Sequence, residues 1–217
     1  GKMIHPDRIR HLVAVPPDHG RFVLYWMQQA QRTRCNHALA FAAQKAGDLR
    51  LPLVVGFVLT PHFPEAGFRH YRFMLQGLAE VQQALSERNI AFVLEFGDMI
   101  SGVCKISEKA AWVVTDAGYT RIQRQWRKQA AAEIRCPFSI VETDVVVPVG
   151  TASDKQESAA RTLRPKIMKQ IDSFLDCPHE PDFMQKNEPP LRPAAAISPK
   201  ALCAENGFQA ESSDQAI

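Results

Sequence analysis

FVLYWMQQAQRTRCNHALAFAAQKA, residues 22–46, contains a change of hydrophobic period from which the architecture follows. Phe22 to Trp26 is a short apolar run, β-branched and aromatic, behind the turn-forming Pro16-Pro17-Asp18-His19-Gly20. Such a run reads as a buried strand. From Met27 to Ala46 there is neither Gly nor Pro, and Ala38, Leu39, Phe41, Ala42 and Ala46 share one helical face ahead of Gly47. A helix over this span, stopping at Gly47, is expected. Strand, tight junction and helix make the first half of a βαβ unit. In a doubly wound sheet the first strand is central, and ligands bind where the strand order reverses beside it. Met27 to Arg32 is therefore the expected floor of any site.

The same alternation continues outward. Leu51 to Leu59 is almost unbroken apolar sequence, the pattern of a strand covered on both faces in a parallel sheet. Further strands are expected over 91–96, 111–115 and 138–141, with helices over 66–88, 99–109 and 121–134. Ser153 and Asp154 open a further helix over 155–163, and a last short one spans 166–175. The expected fold is α/β: a doubly wound, mainly parallel five-stranded sheet, Rossmann-like, in the order 3-2-1-4-5 with helices on both faces. Residues 1–20 read as a polar lead-in draped over the domain, and residues 21–175 as the α/β domain. Residues 176–217 read as a tail, loop or disordered, whose Pro178, Pro181, Pro189, Pro190, Pro193 and Pro199 leave little surface to bury.

With 46% hydrophobic and 23% charged residues the composition is that of an ordinary globular domain. No run reaches the roughly 18 apolar residues of a membrane helix, and the N-terminus carries no signal-peptide pattern. A cytoplasmic, non-membrane protein is expected. The net charge of +3 permits contact with nucleic acid without arguing for it. Cys35, Cys104, Cys136, Cys177 and Cys203 form no C-x-x-C pair, so neither a metal site nor a disulfide framework is indicated. A reducing compartment fits them.

Glycine-rich phosphate loops and the nucleophile elbow are absent. No nucleophile, base and acid can be assembled from spacing, so no catalytic residue is assigned. What remains is a crevice at the strand ends, with Met27, Gln28, Gln29 and Arg32 after the first strand and Thr115, Asp116, Ala117 and Gly118 after the fourth. Asp116 either accepts a hydrogen bond from a ligand hydroxyl or serves as an N-cap or turn carboxylate before the next helix. Arg32 either pairs with an anionic ligand or lies solvated on a helix face. Arg121, Arg124, Arg127 and Lys128 make a basic helix face, on which Arg121, Arg124 and Lys128 point the same way. A solvated outer face is the default reading, and guidance of DNA phosphates the functional one. In 153–169, acidic groups near the start and basic groups near the end match the helix dipole.

Four blocks together resemble class II cyclobutane pyrimidine dimer DNA photolyases. They are Leu24-Tyr25-Trp26-Met27 with Gln31-Arg32, Asn36 and Ala38-Leu39; Arg69 to Val81; Val113-Val114-Thr115-Asp116 with Arg121, Arg124 and Trp126; and Val146 to Ile167, containing Ala152-Ser153-Asp154-Lys155-Gln156-Glu157 and Ala159 to Lys166. They occur in the family's order and cover about 23–167. The chain departs from the family where an aromatic residue is usual at His37, Trp at Gly150 and Tyr at Ser158. The resemblance covers only the family's N-terminal α/β, or antenna, domain. It implies a deazaflavin or folate antenna chromophore in the crevice of Met27, Gln28, Arg32, Thr115, Asp116 and Ala117. It also implies a separate helical domain that binds FAD and UV-damaged DNA and performs the carbon–carbon lyase chemistry, in which the flavin supplies the electron. A tail of this length is too short to be such a domain, so the chain alone is expected to be inactive. Asp154, Lys155, Arg161, Arg164 and Lys166 are then the expected docking surface for that domain. The alternative is a scaffold module that docks a separate helical flavin-binding subunit or homodimerises. A free-standing nucleotide-binding protein is a third reading, disfavoured by the missing phosphate loop.

Overall fold

Strand β2 (Phe22–Trp26) runs buried along its whole length through the middle of a six-stranded sheet. The computed structural model describes residues 4–28, 36–60, 68–118, 120–142 and 193–198. Arg32, Gly150, Ser158, the expected helices between 155 and 175, and the docking residues Asp154, Lys155, Arg161, Arg164 and Lys166 lie outside them. Along β2 the side chains alternate, as a pleated strand requires. Val23, Tyr25 and Met27 join one core, and Phe22, Leu24 and Trp26 join the other.

Strands β3 (Leu53–Leu59) and β5 (Ala110–Asp116) flank β2, both parallel to it. Outside them lie β4 (Ala91–Phe96), parallel to β3, and β6 (Phe138–Val141), parallel to β5. Counted from β2, these five strands have the expected order 3-2-1-4-5. The sixth corrects the reading of the lead-in as draped chain. Residues Ile9–Val13 form β1, which pairs antiparallel with β6 at the edge of the sheet. Its polar Arg10 and His11 are exposed, so the strand carries no apolar run to announce it.

Helices α1 (His37–Leu49) and α2 (Phe68–Glu87) cover one face, where Leu39, Phe41, Leu75, Leu78 and Leu85 meet Val23, Tyr25 and Val55. Helices α3 (Met99–Ser107) and α4 (Arg121–Glu133) cover the other. Close approach of α3 depends on two glycines. A Cβ at Gly102 would stand 2.7 Å from Val58 Cγ1, and one at Gly56 2.7 Å from Ile106 Cδ1.

The expected helix from Met27 starts ten residues later, at His37. The Met27 N–H donates to Gly56 O at 2.9 Å, so the chain is still bonded to a strand where a helix was expected to begin. Asn36 is the actual N-cap, its Oδ1 accepting the Leu39 N–H at 3.0 Å. At the other end α1 passes Gly47 and stops at Arg50, which takes the left-handed conformation (φ 53°) usually left to glycine.

Candidate functional site

Strand order reverses between β5 and β2, and the C-terminal ends of both strands open at that point. Three buried side chains tie these ends together. Tyr25 donates its hydroxyl to Asp116, with Oη 2.7 Å from Oδ1 and 2.8 Å from Oδ2. Asn36 Nδ2 donates to the same hydroxyl at 3.1 Å, so the N-cap of α1 is fastened to β2. Asp116, 1% exposed, also accepts the Gln28 N–H at 3.4 Å. Thr115 adds a stitch on the other face, donating its hydroxyl to Trp26 O at 2.7 Å.

Neither the N-cap nor the turn reading of Asp116 describes its place. The N-cap of α4 is Thr120, whose hydroxyl accepts the Gln123 N–H while Gln123 Oε1 accepts the Thr120 N–H, a reciprocal capping box. Asp116 is instead a buried acceptor that holds the two strand ends in register. Met27 is 1% exposed and belongs to the core beneath α1, and the Ala117 N–H donates to Val141 O at 3.0 Å.

Gln28 differs from these neighbours. Its side chain is 94% buried, yet neither Oε1 nor Nε2 has a hydrogen-bond partner among the described residues. A buried amide without partners costs about 1–3 kcal/mol. It presents one acceptor and one donor side by side, the complement of a ring edge carrying C=O next to N–H. His37, the first residue of α1, likewise has a buried Nδ1 with no partner. Burial, and after it the positive charge of Arg8, push the His37 ring down to about 4, so it is neutral at physiological pH. Arg8, itself 3% exposed, donates from Nη1 to Glu142 O at 3.2 Å, at the same end of the sheet. Among the described residues the site thus holds neutral polar groups, the Asp116 carboxylate and the Arg8 guanidinium.

Of the expected crevice residues, Met27, Gln28, Thr115, Asp116 and Ala117 lie at the paired ends of β2 and β5. Sequence reasoning missed Tyr25, taken only as strand filling, and Asn36. The signal for Asn36 was present, an Asn directly before the apolar helical pattern. Arg8 had no sequence signal. On α4, Arg121, Arg124 and Lys128 are exposed as expected, but Arg127 is 5% exposed and leaves the basic face. Cys104 and Cys136 are free thiols, and burial raises both above their ordinary range, Cys136 to about 11. Among the described residues no cluster of three His, Cys, Asp or Glu suits a metal ion.

The model of the family described as DNA photolyase matches residues 23–185. A deoxyribodipyrimidine photo-lyase of Methanothermobacter thermautotrophicus is 45% identical over 174 residues, which are 80% of this chain and 39% of that protein. Its counterpart in Potorous tridactylus is 37% identical over 73% of this chain and 30% of its own length. The chain therefore spans about two fifths or less of the curated relatives it matches. Among solved structures, the archaeal photolyase of Sulfolobus tokodaii, described with two FAD molecules, superposes with a TM-score of 0.57 at 15% identity, over 78% of this chain and 43% of that one. The cryptochrome of Synechocystis sp. PCC6803 gives a TM-score of 0.57 at 14% identity, over 83% and 40%. At such identities the likeness is one of fold.

Proposed function

The chain belongs to the DNA photolyase family, and on that premise we propose that it is the N-terminal α/β domain of a class II protein, built to hold an antenna chromophore at the β2–β5 crevice. The four sequence blocks in family order and the 45% identity to an archaeal photo-lyase support the reading. The observation that carries the ligand is the Gln28 amide, buried with both polar atoms unpartnered among the described residues. A flat heterocycle with a lactam or imide edge satisfies donor and acceptor together, and a deazaflavin or a folate has such an edge. When bound, the chromophore supplies light absorption. Gln28 orients its edge, Met27 floors the crevice, and the Tyr25–Asp116–Asn36 network keeps the two strand ends at fixed separation. Arg32, Thr115, Asp116 and Ala117 complete the proposed lining.

Repair of cyclobutane dimers in UV-damaged DNA, with FAD as electron donor, belongs in this proposal to a helical flavin-binding partner or domain. The residues proposed to dock that unit are Asp154, Lys155, Arg161, Arg164 and Lys166. The free Cys104 and Cys136 support a reducing, cytoplasmic setting.

The test is absorption spectroscopy of the purified chain after incubation with a deazaflavin, a folate or FAD and removal of excess ligand. Retention of deazaflavin or folate is expected, with Gln28→Leu weakening it about 10- to 100-fold. Failure to retain either chromophore would overturn the proposal.

A further inference from the structure

Strand β4 is one of the two edges of the sheet, and the bare backbone of an edge strand is a template on which other chains pair. The chain's own residues 193–198 meet that edge. Ala194 donates its N–H to Phe92 O at 2.8 Å. Gln82 on α2 holds the same segment. Its Nε2 lies 3.2 Å from Ala194 O and 3.0 Å from Ala195 O, and its Oε1 accepts the Ile197 N–H at 2.9 Å. Ala194 and Ile197 turn half-buried onto the core beneath α1 and α2, while Pro193, Ala195, Ala196 and Ser198 are exposed.

One glutamine therefore reads three backbone groups of a segment more than a hundred residues away in sequence. The composition suits the contact. Pro193 favours extended backbone, the alanines let the main chain approach α2, and Ile197 supplies the one large apolar anchor. Farther along β4 a second guard stands. Glu95 pairs with Lys105 at 2.8 Å, placing charge on the same edge strand.

We propose that residues 193–198 are a strap, recognised by α2 and β4 through Gln82, that closes the β4 edge against pairing with a second copy of this chain.

Hydrogen exchange and sedimentation of the full chain test it, with Gln82→Leu and Ala194→Pro as variants. In the parent chain the Ala194 and Ile197 amides are protected and the protein sediments as a monomer. Gln82→Leu accelerates exchange at both amides at least about tenfold and produces a concentration-dependent dimer, while β2 and β5 keep their protection. Ala194→Pro removes only the bond to Phe92 and yields the same dimer without touching α2. Unprotected Ala194 and Ile197 in the parent, or variants that stay monomeric with β2 and β5 intact, would overturn the strap.

Discussion

Tyr25 is an apolar strand residue by sequence and the hub of the site by structure. Both Asp116 oxygens and the Asn36 amide converge on its hydroxyl. Tyr25→Phe keeps the ring and strands those partners in a buried place. It should lower unfolding stability by about 1.5–3 kcal/mol in urea titration, and a loss below about 0.5 kcal/mol would show that the network does not secure α1. His37 makes a pH prediction. Folding lowers its pKa from 6.5 to about 4, so as pH falls the unfolded chain takes up the proton first. The stability from keeping this ring neutral is complete above 6.5, declines through the interval and is gone below about 4. His37→Phe should flatten that decline, read as urea midpoints at about pH 7.5 and about pH 5. No sequence pattern exposes either effect, because each depends on the fold: Tyr25 on a partner about 90 residues distant, Asp116, and His37 on its burial first and then on the Arg8 guanidinium that the lead-in delivers.

Elements were more legible than their ends. Unbroken burial of β2 and the apolar face of α1 follow from residue type alone, since water exclusion acts on every such side chain in the same way. The start of α1 was legible only in Asn36, the Asn directly before the apolar pattern, and was placed too early. Met27 itself is still bonded to Gly56 of β3, and α1 opens at the Asn36 cap. The junction after β5 is a second example. Gly118 leaves the space that the Gln123 side chain occupies as it returns to the Thr120 N–H, and a Cβ there would collide with it. Thr120→Ala should cost about 1 kcal/mol by loss of the cap. Its Tm is the check, and an unchanged Tm would mean that the capping box adds nothing to α4.

At the scale of the molecule, topology emerged from alternation of strand and helix plus the right-handed crossover rule. Only the antiparallel β1 escaped, because Arg10 and His11 interrupt its apolar residues. That strand nevertheless has work to do. It caps β6, it carries Arg8 to the crevice end, and its His11 Nδ1 lies 2.7 Å from the Ser139 hydroxyl. Deleting residues 4–13 should bare the β6 edge, lower the denaturation midpoint and cause self-association detectable by light scattering. A truncated chain that remains monomeric and equally stable would show the strand to be dispensable.

The Gln82 clasp also has a kinetic meaning. Glu142 and Ala194 are both hydrogen-bonded to the domain, so covalent continuity of the chain, as well as the clasp itself, keeps the segment near the β4 edge. A cut that severed that continuity would leave the segment to the hydrogen bonds of Ala194, Ala195 and Ile197 among the described residues. A protease that leaves the α/β domain whole therefore changes what its surface offers to other chains, irreversibly and with a single cut.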